Sequence, residues 1–252
     1  MLLGLPLEGW LALALLALFG GGMGLIYLFR PGERLYARLR PLSTFRRVET
    51  GLALAMEEGR RLHYTLGRGH VLRPDGGASW TGLSVLEPLV RSALRGDAPP
   101  RVSAGDPAVH ALAHASLRRS CVRARAPRAY SPDGLVLAGL EPASYGAGAA
   151  LEAQQGRQAL SLLVGQAGWE VALLADAAPR LVGGSSDPNG QAVMLATADD
   201  ALLGEEVYAA GAYIRAHPLH AAGLWMQDGV RGLLILVMLV AGLLAVLARW
   251  AG

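Results

Sequence analysis

Two uninterrupted apolar runs bracket the chain, and between them short apolar stretches alternate with longer alanine-rich ones. The first run, residues 9–29, holds 21 residues without a charge, enough at about 1.5 Å per residue to cross a hydrocarbon core of about 30 Å. The second, residues 232–248, holds 17, bracketed by Arg231 and by Arg249 with Trp250, side chains that suit the two interfaces. Both runs are predicted to be transmembrane helices. A cleaved signal peptide needs a basic n-region and a small-residue cleavage site, whereas here Glu8 precedes the first run and Tyr27, Phe29 and Arg30 end it.

In the middle of the chain the spacing predicts strands over 62–67, 101–105, 135–139, 160–164 and 181–184. It predicts helices over 80–95, 107–125, 142–155, 169–178 and 191–215, the last with room for a break. Strand alternating with helix implies parallel pairing through right-handed crossovers. The expected fold class is α/β: a Rossmann-like or flavodoxin-like parallel sheet of about five strands with helices on both faces, flanked by two transmembrane helices. The chain then divides into a short external N-terminus (1–8), the first span (9–29), basic juxtamembrane linker helices (30–61), the α/β domain (62–215), a second linker (216–231), the second span (232–248) and an external C-terminus (249–252).

Composition agrees with a chain partly in lipid: 52% of the residues are hydrophobic and only 17% charged. All 23 basic residues are arginine, against 20 acids, for a net charge of +3. That excess is too weak to imply nucleic acid, and the absence of lysine excludes a P-loop lysine, a pyridoxal Schiff base and a kinase site. The single cysteine, Cys121, excludes an intrachain disulfide, a CxxC redox pair and a cysteine-rich zinc site.

Arginine placement predicts orientation, because basic residues near the ends of spans are retained on the cytoplasmic side. Arg30, Arg34, Arg38, Arg40, Arg46 and Arg47 follow the first span, none precedes it, and Arg215 and Arg231 precede the second. A bacterial inner-membrane protein with both termini outside and a cytoplasmic central domain is expected, its arginine-rich linker lying against lipid headgroups. Gly20 and Gly24 in the first span, and Ala241 and Ala245 in the second, have the small-xxx-small spacing that allows close helix packing. The same residues are also ordinary in an alanine-rich chain.

Three strand ends carry an acid followed by proline: Asp106-Pro107, Glu141-Pro142 and Asp187-Pro188. As helix starts they are chemically complete, since the acid caps orphan amides and proline suits the first helical position. A second use is open to them, because all three turns belong at the carboxyl edge of a parallel sheet, where open α/β folds take ligands. Asp106, Glu141 and Asp187 then form an acidic rim, and Gly183-Gly184-Ser185-Ser186 can wrap an anion with its amides.

Other motifs fall short. Gly146-Ala147-Gly148-Ala149-Ala150-Leu151 has two glycines of a dinucleotide fingerprint but leucine at the third small position, and it starts inside a predicted helix. His110 and His114 have the i, i+4 spacing of zinc ligands without a third ligand or an intervening glutamate, so a polar helix face is expected. Cys121 lies among Arg118, Arg119, Arg123 and Arg125, which can lower its pKa, although a lone helix cysteine is usually packed. No metal and no cofactor are expected.

The stretches 58–67, Val102-Ser103-Ala104-Gly105-Asp106-Pro107, Gly183-Gly184-Ser185-Ser186-Asp187-Pro188 and 204–213 resemble an uncharacterised family of bacterial membrane proteins, a domain of unknown function with two terminal spans and a central α/β domain. The resemblance covers most of the middle domain and runs into the second span. It implies no reaction or ligand, but it draws attention to 204–213, where Glu205 and Glu206 either face a subunit or ligand or are solvated helix glutamates. The reading favoured is a nonenzymatic, membrane-anchored scaffold or assembly subunit that contacts membrane lipid and associates with copies of itself or a larger membrane complex. The alternative is a small-molecule-binding or enzymatic domain with its site at the carboxyl edge.

Overall fold

The computed structural model describes residues 7–29, 33–36, 39–96, 99–155 and 158–251. The chain forms two compact units, Met1–Leu39 with His217–Gly252, and Arg40–Ala216.

The first unit contains helices α1 (Leu7–Phe29), α2 (Glu33–Tyr36) and α10 (Pro218–Ala251). α1 and α10 are long and apolar enough to cross a membrane. They meet near the end of α1 and the start of α10: Gly22 lies against the Met226 sulfur, Met23 approaches Gly223, and Tyr27 stacks on His217 at 6.4 Å. Trp225 Nε1 donates to the Leu35 carbonyl at 2.9 Å, tying α2 to α10. Beyond this crossing the side chains from Leu233 to Leu247 are exposed. The segment 216–231, expected as a separate linker, is mostly the first turns of α10. Nothing between Pro218 and Arg249 breaks a helix, and proline at the first helical position is tolerated.

The second unit holds α3 (Ser43–Glu57), β1 (Arg61–Gly67), α4 (Gly77–Ala93), β2 (Arg101–Ala104), α5 (Pro107–Arg123), β3 (Leu135–Leu137), α6 (Pro142–Gln154), β4 (Gln158–Gln166), α7 (Val171–Ala177), β5 (Leu181–Ser185), α8 (Pro188–Thr197), β6 (Asp200–Ala201) and α9 (Glu206–Tyr213). All paired strands are parallel, in the order β3-β2-β1-β4-β5-β6. This is the Rossmann order rather than the flavodoxin one, and it reverses direction between β1 and β4. The sixth strand lies inside the stretch 191–215, expected as a helix with room for a break, and supplies that break. Asp199 interrupts the helix by accepting a bond from the Leu181 amide at 2.8 Å, and the Leu202 amide donates to the Gly183 carbonyl at 2.7 Å.

Alternation along the strands sorts the two faces. Leu62, Tyr64, Leu66, Val102, Ala104, Leu160, Leu162 and Val164 point into an apolar core with α3, α4, α5 and α9. Close approach on that face needs small residues: a Cβ at Gly82 would sit 2.4 Å from the Val164 carbonyl oxygen, and Tyr64 donates to the Gly82 carbonyl at 2.7 Å. The opposite face packs Leu163, Ala167 and Leu181 under α6, α7 and α8, with Tyr145, Ala149 and Ala153 contributed by α6.

That second face also carries a buried polar layer. His63 Nδ1 is 3.1 Å from Ser161 Oγ and its Nε2 is 2.9 Å from Ser103 Oγ, so one imidazole joins the three central strands. Burial, with a smaller contribution from the Arg101 charge, pushes the His63 pKa down to about 3 and keeps the ring neutral. Below it, Arg101 pairs with the nearly buried Glu152 of α6 at 2.7 Å.

Candidate functional site at the carboxyl edge of the sheet

In a sheet of this order, the crevice between the reversing strands is where ligands usually bind. Here backbone crosses it. Gly67 ends β1 with φ +74°, a conformation that favours glycine, and an added Cβ would lie 2.3 Å from the Gln166 carbonyl oxygen. The Arg68 amide donates to that carbonyl at 2.6 Å, and the Gly105 amide donates to the Gly67 carbonyl at 2.8 Å. The ends of β2, β1 and β4 are therefore laced together.

Two side-chain pairs sit on this lacing. Arg68 Nε donates to Glu170 Oε1 at 2.7 Å, and the Gly168 amide donates to the same oxygen at 2.9 Å. The Glu170 side chain is fully buried, and among the described residues its Oε2 has no hydrogen-bond partner. Burial alone would raise this carboxyl, but the Gly168 amide and the Arg68 guanidinium outweigh it and hold the pKa below the usual glutamate value. The second pair is His70 Nδ1 with Asp106 Oδ2, 2.6 Å apart. Asp106 Oδ1 also accepts from the Val109 amide at 2.9 Å, so this carboxylate caps α5 and orients an imidazole whose side chain is 47% exposed. An oriented, half-exposed histidine is chemically able to take or give a proton. On the α6 side, the buried Tyr145 hydroxyl lies 2.5 Å from Thr65 Oγ1, and burial raises its pKa.

A family model described as Domain of unknown function (DUF6754) matches residues 8–251. The chain belongs to the DUF6754 family. No curated protein and no solved structure matches it. The family match takes in both terminal apolar helices and the whole sheet, so the carboxyl edge described above lies inside the family's own span.

The three acids of the expected rim do not converge. Asp106 follows β2 and Asp187 follows β5, which puts three strand spacings, about 14 Å, between their strands. Each serves its own helix. Asp187 accepts from the Asn189 and Gly190 amides at 2.8 and 3.3 Å, and the Glu141 amide donates to Ser144 Oγ at 3.2 Å in the first turn of α6. The expected anion wrap is occupied from within: Ser186 N donates to the Gly165 carbonyl at 3.0 Å and Asp187 N to Ser185 Oγ at 3.1 Å. Ser185 is buried, and its hydroxyl binds both the amide and the carbonyl of Ala167, at 2.9 and 2.5 Å, fastening β5 to the end of β4. Among the described residues, no group of three or more His, Cys, Asp or Glu side chains can hold a metal ion.

The remaining sequence candidates are scattered. Gly20, Gly24, Ala241 and Ala245 lie on α1 and α10, and among the described residues no other element comes within 4 Å of a Cβ placed at Gly20 or Gly24; the intrachain crossing uses Gly22 instead. Glu205 is exposed just before α9, and Glu206 accepts from the Leu203 amide at 3.2 Å at the start of that helix. Arg30 and Arg38 lie outside the described residues, and Arg34 falls within α2. Arg40, Arg46 and Arg47 belong to the second unit, and Arg47 pairs with Asp200 at 3.0 Å. Gly146 and Gly148 let α6 pack closely on Glu170 and on the Ala138 carbonyl. His114 meets the Tyr130 hydroxyl at 3.0 Å, and Cys121 is buried, which raises rather than lowers its thiol pKa. Arg68, His70 and Glu170 were not singled out from sequence. The available signal was Gly67-Arg68-Gly69-His70 at the end of the first predicted strand and Gly168-Trp169-Glu170 a few residues after the fourth, the two loops that flank a reversal.

Proposed function

We propose that the protein is a membrane-anchored scaffold or assembly subunit. In this reading α1 and α10 cross a bacterial inner membrane, both termini lie outside, and Arg40–Ala216 is presented in the cytoplasm for association with copies of itself or a larger membrane complex. The observation that carries it is a contrast in coverage. The carboxyl edge is filled by its own backbone and paired charges, while α10 exposes apolar side chains from Leu233 to Leu247. Arginines clustered after α1 support the orientation.

Native purification in mild detergent, with mass measured by light scattering, tests the assembly. A particle heavier than one chain plus its detergent is expected, and a strictly monomeric particle with nothing copurifying overturns the proposal. Protease added to intact cells tests the orientation. Residues near Arg125 should survive, and cleavage there in intact cells would invert the topology.

A small-molecule or enzymatic site at the carboxyl edge is the second reading, favoured by His70 held on Asp106 and, on the same edge, by the Glu170 Oε2 that has no partner among the described residues. It predicts a small molecule retained by the wild-type protein through native purification and lost in His70→Ala. Equal recovery from both proteins would remove it.

A further inference from the structure

On the amino edge of the sheet, opposite the paired charges, an open cleft of about 610 Å³ lies between α3 and the starts of β4 and β5. α3 supplies one stripe of its surface, Ser43, Arg46, Arg47, Thr50 and Gly51, and the sheet supplies Arg180 just before β5 together with Asp199. Gly51 permits the close approach that forms the floor, since a Cβ there would lie 2.8 Å from Leu160 Cδ2.

The charge in this cleft is unbalanced. Asp200 is engaged by Thr44 Oγ1 at 2.9 Å and Arg47 Nε at 3.0 Å, and Asp199 accepts from the Leu181 amide at 2.8 Å. Among the described residues, neither Arg46 nor Arg180 has a carboxylate within ion-pair distance, although the two line the same space. Arg46 and Arg47 also stand at the start of α3, whose first turn holds no acid and whose cap residue, Leu42, offers no side-chain bond. Cations at the positive end of a helix dipole are unfavourable, and an anion placed there relieves both that repulsion and the repulsion between guanidinium groups. The Arg47–Asp200 bond fixes one guanidinium in place, and serine and threonine hydroxyls stand beside it. Forked guanidinium donors with hydroxyls suit the tetrahedral oxygens of a phosphate.

We propose that this cleft binds a phosphate-bearing anion through Arg46, Arg47 and Arg180, carried either on a lipid headgroup or free in solution. The site stands independently of the assembly proposed above, because it is built entirely within Arg40–Ala216. Both sources carry the same phosphate oxygens, and the test separates them.

The test uses the full chain in nanodiscs of phosphatidylcholine alone or with one-third phosphatidic acid, with thermal unfolding followed at constant ionic strength. Stabilisation by inorganic phosphate over chloride in pure phosphatidylcholine identifies a free ligand, and stabilisation by phosphatidic acid without that response identifies a headgroup. Either result supports the site, provided Arg180→Gln weakens the response about tenfold, as loss of one charge-assisted contact requires. Arg119→Gln, which removes an exposed α5 charge outside the cleft, should leave it intact. The proposal fails if neither phosphate source stabilises the wild type, or if the two variants lose the response equally.

Discussion

At the carboxyl edge of the sheet, Arg68 closes on Glu170 and His70 on Asp106; at the amino ends of β4 and β5, Arg46 and Arg180 line a cleft and, among the described residues, neither has a carboxylate within ion-pair distance. The two edges belong to the same sheet and differ in what their charges do. Where the chain reverses its crossover direction, Arg68 and Glu170 complete each other, Asp106 holds His70, and the backbone closes the gap. Where α3 lies across the strand starts, arginines outnumber the acids around open space. Charge at the first edge holds the fold together, and charge at the second is available to bind.

Removing a partner at the closed edge gives the largest effect. Arg68→Ala leaves the buried Glu170 carboxylate without its cation and should destabilise the domain by about 3 kcal/mol in chemical denaturation. A loss under about 1 kcal/mol would show that the carboxylate rehydrates and that the edge is not closed. Gly67→Ala should cost about 2 kcal/mol, from the positive φ and the collision with Gln166, in the same measurement.

Acid acts between the edges, through His63. Its pKa falls from about 6.5 in the unfolded chain to about 3 in the folded one, so its contribution is complete above the unfolded value and lost progressively as pH drops toward the folded one. Between pH 6.5 and 5 the loss should reach about 1.6 kcal/mol. His63→Gln should flatten that pH dependence, and an unchanged slope would assign the acid sensitivity to other groups. Glu170, also lowered, adds its loss only below the usual glutamate range. The smallest stability effect belongs to the open edge: Arg180→Gln should stay within about 0.5 kcal/mol of wild type without ligand, as an exposed unpaired charge does. A larger loss there would mean that the amino edge is structural as well.

Much of this fold is readable from local pattern. The five longer strands and the Asp-Pro and Glu-Pro helix starts lie where apolar runs and turn chemistry place them, because capping and alternation are decided over a few neighbouring residues. β6 was not readable: two residues, Asp200 and Ala201, form a strand only because β5 is already beside them. The site was less legible still. Asp106 was noticed as a cap, yet its second partner, His70, comes from another loop 36 positions away. Glu170 looks like an ordinary polar residue until Arg68 and Gly168 meet it.

Sequence alone determined that two apolar helices long enough for a bilayer flank a parallel α/β domain, since hydrophobic length and periodicity are properties of contiguous segments. Tertiary structure alone decided which charges found partners. Pairing depends on strand order, which sets Arg68 of β1's loop beside Glu170 of β4's and brings Arg180 to face Arg46 across a cleft, and no local interaction encodes those distances.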